Sequence, residues 1–230
     1  FIRQVEAGSE FSMAVTSNGD LYGWGFSSLY GKDPVTSPVK LMSGVKSVSL
    51  SSAAIQPSFE VKKYDDYGYI SYGAQAGDVA VIVKENGDLY TWGDNVCYQL
   101  GKGYYEAEQE TYEPYFVMSD VVKAATNDHA CAAVTENGDL YFWGYNLAHP
   151  YGTGEGGAAL YAEPTVILTG VKDVELGGNS VMALKNDGSV WMMGTTLWGV
   201  MGRDDGQNAH LVNEMTKVMD GCADIAVGYN

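Results

Sequence analysis

A chain of 230 residues with 46% hydrophobic content can bury a sizeable core, and its 13 Lys and Arg against 29 Asp and Glu give a formal charge of -16. So acidic a surface repels phosphate backbones, which excludes nucleic acid and anionic membranes as expected partners. No apolar run approaches the ~18 residues needed to span a bilayer, and Cys97, Cys131 and Cys222 are too few and too widely spaced for a disulfide framework.

The chain opens with Ile2-Arg3-Gln4-Val5-Glu6-Ala7-Gly8, read as a first strand, and Phe11-Ser12-Met13-Ala14-Val15, read as a second. Asn18-Gly19-Asp20-Leu21-Tyr22-Gly23-Trp24-Gly25 then supplies a turn and a third strand. The Asn-Gly pair tolerates the positive φ of a tight hairpin. A loop, 26–38, leads past Pro38 to a fourth piece ending at Leu41-Met42. The same series restarts at Val45 to Leu50, Val79 to Val83 and Asn86-Gly87-Asp88-Leu89-Tyr90-Thr91-Trp92-Gly93. It restarts again at Val121 to Ala125, Ala130 to Val134 and Asn137-Gly138-Asp139-Leu140-Tyr141-Phe142-Trp143-Gly144. A looser fourth copy runs through Val171 to Leu176, Ser180 to Leu184 and Asp187-Gly188-Ser189-Val190-Trp191-Met192-Met193-Gly194. Further fourth pieces follow Pro114 and Pro164.

The turn glycines fall at 19, 87, 138 and 188, in steps of 68, 51 and 50 residues. Such a period means a repeated β unit that cannot bury its faces alone. In each third strand, Leu and the residue after Tyr point one way and Tyr and Trp the other. Apolar groups on both faces fit a sheet held between two neighbouring sheets. We therefore expect an all-β fold, a β-propeller with four-stranded blades of about 50 residues, as face-to-face stacking of such units implies. The expected repeats are 1–42, 43–118 with an insertion at 51–77, 119–168 and 169–219, with 220–230 starting a fifth. They form a single propeller domain, or a fragment excised from a longer one. The insertion is read as a loop or extra hairpin on the rim of a blade.

The recurrent Asn-Gly-Asp-Leu-Tyr-x-Trp-Gly, together with Asp94-Asn95-Val96-Cys97-Tyr98-Gln99-Leu100-Gly101-Lys102-Gly103, resembles the repeats of the regulator of chromosome condensation family. Tyr98 stands where that family has a glycine. The resemblance implies a propeller, seven-bladed in well-known members, of which four units would be a part. It also implies two functions. One is nucleotide exchange on a small GTPase; the other is the protein-binding role of bacterial secreted members, towards which an extracellular location points. The exchange residues of the family are not placed in this sequence.

Candidate site residues are weighed against packing roles. The row Trp24, Trp92, Trp143 and Met193 fills one slot in every repeat and is expected to be inter-blade core. Glu10, Asp78, His129 and Asn179 share another repeat position. Carboxylates and an imidazole are reasonable metal ligands, but a water-facing strand start is the preferred reading, and no metal or cofactor is expected. No nucleophile elbow, phosphate loop or zinc helix is present, so no catalytic residue is assigned. The loops after each Trp-Gly, at 26–38, 94–113, 145–163 and 195–211, emerge from corresponding corners. From them Tyr98, Tyr104, Tyr105, Tyr112, Tyr145, Tyr151, Tyr161 and Trp198 are assigned to partner binding. Tyrosine offers large contact area at low entropic cost, with a polar tip. The expected function is a non-enzymatic module binding a protein of basic or mixed surface. The alternatives are a GTPase exchange factor and a polysaccharide-acting propeller enzyme. Open blade edges also allow a homodimer.

Overall fold

The computed structural model describes residues 1–8, 10–27, 29, 33–51, 62–63, 70–71, 78–104, 113–127, 129–146, 159–196, 199–202 and 211–228. The first antiparallel sheet holds β1 (Ile2–Ala7), β2 (Phe11–Thr16), β3 (Leu21–Gly25) and β4 (Val35–Met42), in that order. The second begins with β5 (Val45–Leu50). After it, β6 (Lys62–Lys63) and β7 (Ile70–Ser71) pair as a separate ribbon within the 51–77 insertion. The second sheet continues with β8 (Val79–Lys84), β9 (Leu89–Gly93) and β10 (Tyr115–Met118). The third is β11 (Val121–Thr126), β12 (Ala130–Thr135), β13 (Leu140–Asn146) and β14 (Ala159–Leu168). The fourth is β15 (Val171–Leu176), β16 (Ser180–Lys185), β17 (Val190–Thr195) and β18 (Leu211–Met219).

Register repeats with the sequence. Val15 faces Leu21, Val83 faces Leu89, Val134 faces Leu140 and Leu184 faces Val190 across the second and third strands. Each first strand shifts register after its opening residue, at Ile2/Gln4, Val45/Ser47, Val121/Lys123 and Val171/Asp173. The hairpin glycine explains why the turn sequence recurs. Gly19, Gly87, Gly138 and Gly188 have φ of 78°, 85°, 83° and 83°, and each donates its N–H back three residues to close the turn. Their carbonyls then accept, at 2.9 Å, the N–H of Val45, Val121, Val171 and Cys222. One residue thus ends a hairpin and seats the start of the next unit.

That last bond places the tail. Residues 221–228, expected to begin a fifth unit, form no strand. A strand is defined by its ladder, and no second strand lies alongside the tail among the described residues. Even so, Cys222 occupies the slot of Val45, Val121 and Val171.

The sheets stack face to face. Phe11, Met13, Val15 and Leu21 of the first pack on Val48, Ile82 and Trp92 of the second. Val79, Val81, Val83 and Leu89 of the second meet Cys131, Ala133 and Trp143 of the third. Ala132, Val134, Leu140 and Phe142 of the third meet Val174, Val181 and Met193 of the fourth. Strand alternation sends successive side chains to opposite junctions, which is why both faces of these strands are apolar. First strands adjoin first strands, β1 to β5 to β11 to β15, on the inner side of the stack. Fourth strands form the outer edges, where Pro38 and Pro164 withhold a donor from any added strand.

Candidate interaction surface

The segment after Trp92 is built from the inside out. Asp94 Oδ1 accepts the Val96 N–H at 3.2 Å, Asn95 Oδ1 accepts the Leu100 N–H at 3.0 Å, and Gln99 Oε1 accepts the Cys97 N–H at 2.6 Å. The Thr91 hydroxyl donates to the Leu100 carbonyl at 3.0 Å. The Gln99 carbonyl receives the Trp143 indole N–H at 2.8 Å and the Cys131 thiol at 3.2 Å, locking this loop to the third sheet. Asp94 to Cys97, Gln99 and Leu100 are all buried. This part of the 94–113 loop, expected to present a surface, is therefore a polar staple between two blades.

The tyrosines divide accordingly. Tyr104 is 54% exposed, and its carbonyl accepts the Asn95 side-chain amide at 2.8 Å. Tyr98 is half-buried at φ 61°, in the glycine conformation that the family pattern anticipates, and its ring meets Tyr145 edge-on at 6.3 Å. Tyr145 is only 6% exposed and packs with Val96 and Cys97. Tyr161 is half-buried against Phe142, edge-on at 5.3 Å. Tyr145, expected to face a partner, is a core residue instead, and Tyr161 is partly buried against the core, because β13 and β14 run through the positions assigned to a loop at 145–163. Tyr105, Tyr112, Tyr151 and Trp198 lie outside the described residues.

The shared position of Glu10, Asp78, His129 and Asn179 has a backbone role. Their carbonyls accept the N–H of Phe26, Asp94, Tyr145 and Thr195 at 2.9 to 3.1 Å. At Gly93, φ is 128° and a Cβ would sit 2.0 Å from the Asp78 carbonyl oxygen, so the glycine after Trp is required by this close approach. Among the described residues no group of three or more His, Cys, Asp or Glu is placed to hold a metal. His129 borders a small cleft between the third and fourth sheets, beside Asn127, Asn179 and Ser180, with room for about one water. Its Nδ1 is enclosed without a hydrogen-bond partner, and burial lowers the imidazole pKa to about 4. Burial likewise pushes the Cys131 thiol up to about 12, which makes it inert as a nucleophile.

Inner-strand side chains clasp the blades. Gln4 exchanges two hydrogen bonds with the backbone of Val48, at 2.8 and 3.1 Å, and Arg3 donates to the carbonyls of Val45 and Lys46. Lys123 reaches Asp173 at 2.9 Å and Glu175 at 2.8 Å. Burial works to lower the Lys123 ammonium, but its bonds to Glu175 and Asp173 outweigh that and hold it above the usual lysine value. Asn127 Nδ2 donates to the Gly177 carbonyl at 2.7 Å. Sequence reasoning missed these clasps because the residue type changes from blade to blade. The carboxylates of Asp20 and Asp187 are held below the usual range, by Lys40 and Ser43 and by Ser189 respectively. That is opposite to what a general acid needs.

Residues 2–31 match the regulator of chromosome condensation (RCC1) repeat. The chain is 26% identical over 202 residues to the human E3 ubiquitin-protein ligase HERC2, covering 83% of this chain and 4% of that protein. It is 24% identical over 200 residues to the guanine nucleotide exchange factor SRM1 of Saccharomyces cerevisiae, covering 83% of this chain and 39% of SRM1. The crystal structure of human WBSCR16 superposes with a TM-score of 0.67 at 21% identity, over 99% of this chain and 55% of that one. The chain thus spans well under two thirds of each of these relatives. Residues 2–31 thus match one regulator of chromosome condensation repeat, and the other three four-stranded sheets repeat its hairpin glycine in register, so the chain is similar to arrays of such repeats.

Proposed function

We propose that the chain is a non-enzymatic protein-interaction module whose contact surface is the blade corner around Tyr98 and Tyr104. The observation carrying this reading is Tyr104: an exposed ring on a loop whose backbone is fixed by Asn95 and whose base is stapled to the third sheet. An aromatic side chain on a pre-organised backbone binds with little further loss of entropy. The chain's charge of -16 favours a partner of basic or mixed surface.

A photo-crosslinking residue at position 104 tests this in the native host extract. The same residue at Glu214, on the exposed outer edge, serves as control. A discrete adduct at 104 that Tyr104→Ala competitor protein fails to suppress, while the unlabelled wild type suppresses it, supports the reading. Equal adducts at both positions sink it.

A second reading rests on the likeness to SRM1, whose name gives it as a guanine nucleotide exchange factor. Acceleration of GDP release from a small GTPase by this chain would favour that reading. It is an argument from likeness, since no exchange residue is assigned here.

A further inference from the structure

The hairpin turns share one backbone but hold their polar side chains in two ways. In the first and third units a threonine opens the turn. Thr16 Oγ1 accepts the Asp20 N–H at 3.1 Å, and Thr135 Oγ1 accepts the Asp139 N–H at 3.2 Å. In the second and fourth units Lys84 and Lys185 stand there and offer no acceptor. The turn then supplies its own: Asn86 Oδ1 accepts the Asp88 N–H at 3.1 Å, and Asp187 Oδ1 accepts the Ser189 N–H at 2.9 Å. Asn86 Nδ2 also donates to Asp88 Oδ2 at 2.8 Å, so both ends of that amide are held. Asn18 and Asn137 are exposed, and their amides make no hydrogen bond among the described residues. The Asp20 carboxylate, which could have held Asn18, is engaged by Lys40 at 2.7 Å and Ser43 at 2.9 Å.

Residues 83–90 and 134–141 differ only at Lys84 and Thr135, so Asn86 and Asn137 have the same immediate neighbours. Asparagine is thermolabile, most of all before glycine, which has no side chain to shield its backbone nitrogen. We propose that Asn18 and Asn137 are sites of deamidation through a cyclic imide, and that Asn86 is protected by its own turn. The backbone nitrogen of Gly19 or Gly138 bonds to the side-chain carbonyl carbon of the asparagine before it. The bond from that carbon to Nδ2 breaks, and Nδ2 leaves as ammonia with the proton the glycine nitrogen gives up. Water then opens the imide at either carbonyl, giving aspartate or isoaspartate. Attack needs the turn to open transiently, since each glycine N–H is bonded back across it, at 3.0 Å for Gly19 and Gly87 and 2.8 Å for Gly138. In the second turn the two bonds of Asn86 must break as well. Isoaspartate puts the side-chain methylene into the main chain, just before the glycine whose carbonyl seats Val45 or Val171. Ageing thus loosens the first–second and third–fourth junctions and leaves the second–third intact. None of these residues belongs to the Tyr98–Tyr104 corner, so either proposal can fail without the other.

Incubation of the full chain at mildly alkaline pH, folded and in guanidinium chloride, tests this, with peptide mapping by mass spectrometry to read the amide-to-acid mass gain at each asparagine. In the folded protein Asn18 and Asn137 should react at least about threefold faster than Asn86, the factor that modest net hydrogen bonding is worth. In guanidinium Asn86 and Asn137 should react equally. Thr135→Val keeps the side-chain shape without the hydroxyl and should slow Asn137 to the rate of Asn86. Lys84→Thr should speed Asn86 to the rate of Asn137. Circular dichroism establishes that each variant is folded, and the wild-type comparison decides alone where one is not. In aged wild type the Val45 and Val171 amides should exchange with solvent faster than before, and that of Val121 should not. Equal folded-state rates at Asn86 and Asn137 overturn the proposal. So does a difference that persists in guanidinium, or one that neither folded variant moves.

Discussion

Single residues in this fold are constrained by what the backbone of a neighbouring strand does. The two kinds of repeated glycine differ in this respect. Gly93 at φ 128° has the Asp78 carbonyl where a Cβ would go, and Gly44 at φ 69° has only the end of the Lys84 side chain, 3.7 Å away. Gly93→Ala is therefore expected to cost at least about 2 kcal/mol, through strain and backbone displacement. Gly44→Asp should cost less than about 1 kcal/mol, because Asp tolerates the left-handed region. Asp120 already occupies the equivalent position at φ 63°. Urea midpoints for the two variants decide it, and similar losses would refute the distinction. His129 gives a pH test. Its folded pKa of about 4 lies below the ordinary 6.5, so the unfolded chain takes up the proton first. Stability should fall as pH drops from 6.5 to 4, by up to about 3 kcal/mol, and level off below. A His129→Asn variant, polar but not titrating in this range, should lose most of that slope. An unchanged slope would show that the ring is not enclosed.

At the level of elements, the third strand shows how far a sequence can be read. Alternation placed Leu140 and Phe142 towards one junction and Tyr141 and Trp143 towards the other, and the core clusters follow that division. The Trp row was legible because packing demands the same bulk in the same slot of each repeat. What the row is worth depends on the neighbouring sheet, which no single repeat encodes. Trp143 is fully buried and hydrogen-bonded to Gln99, and Trp24 is half-buried, with no sheet among the described residues on its side of the first sheet. Trp143→Ala is expected to cost about 3–5 kcal/mol and Trp24→Ala roughly 1–2 kcal/mol. Thermal unfolding of the pair tests that order, and equal losses would contradict the end position of the first sheet. The loop after Trp92 was less legible. Its polar residues Asp94, Asn95 and Gln99 read as surface by composition, yet they are buried because each satisfies the loop's own backbone. Tyr145 was misplaced for a related reason. The Trp-Gly signature marks a close backbone approach, and β13 continues beyond it to Asn146.

The whole molecule is a stack in which each sheet depends on its neighbours, so stability should be graded from end to end. The repeat period made the architecture readable, whereas how deeply each sheet is buried by its neighbours emerges only when the stack is assembled. Every residue of β12 is buried between two sheets, while Ile2 and Val5 of β1 are more than half exposed. Amides hydrogen-bonded in β12 and β13 should therefore exchange with solvent at rates set by global unfolding. Those of β1 should open locally, with protection lower by at least about tenfold, because fewer buried contacts hold the strand. The clasp of Arg3 and Gln4 on β5 opposes this fraying, so Gln4→Ala should lower protection in β1 and leave β12 unchanged. Uniform protection across all four sheets would mean that the stack unfolds only as one unit. The first sheet would then be as firmly held as the interior, which the exposure of Ile2 and Val5 does not explain.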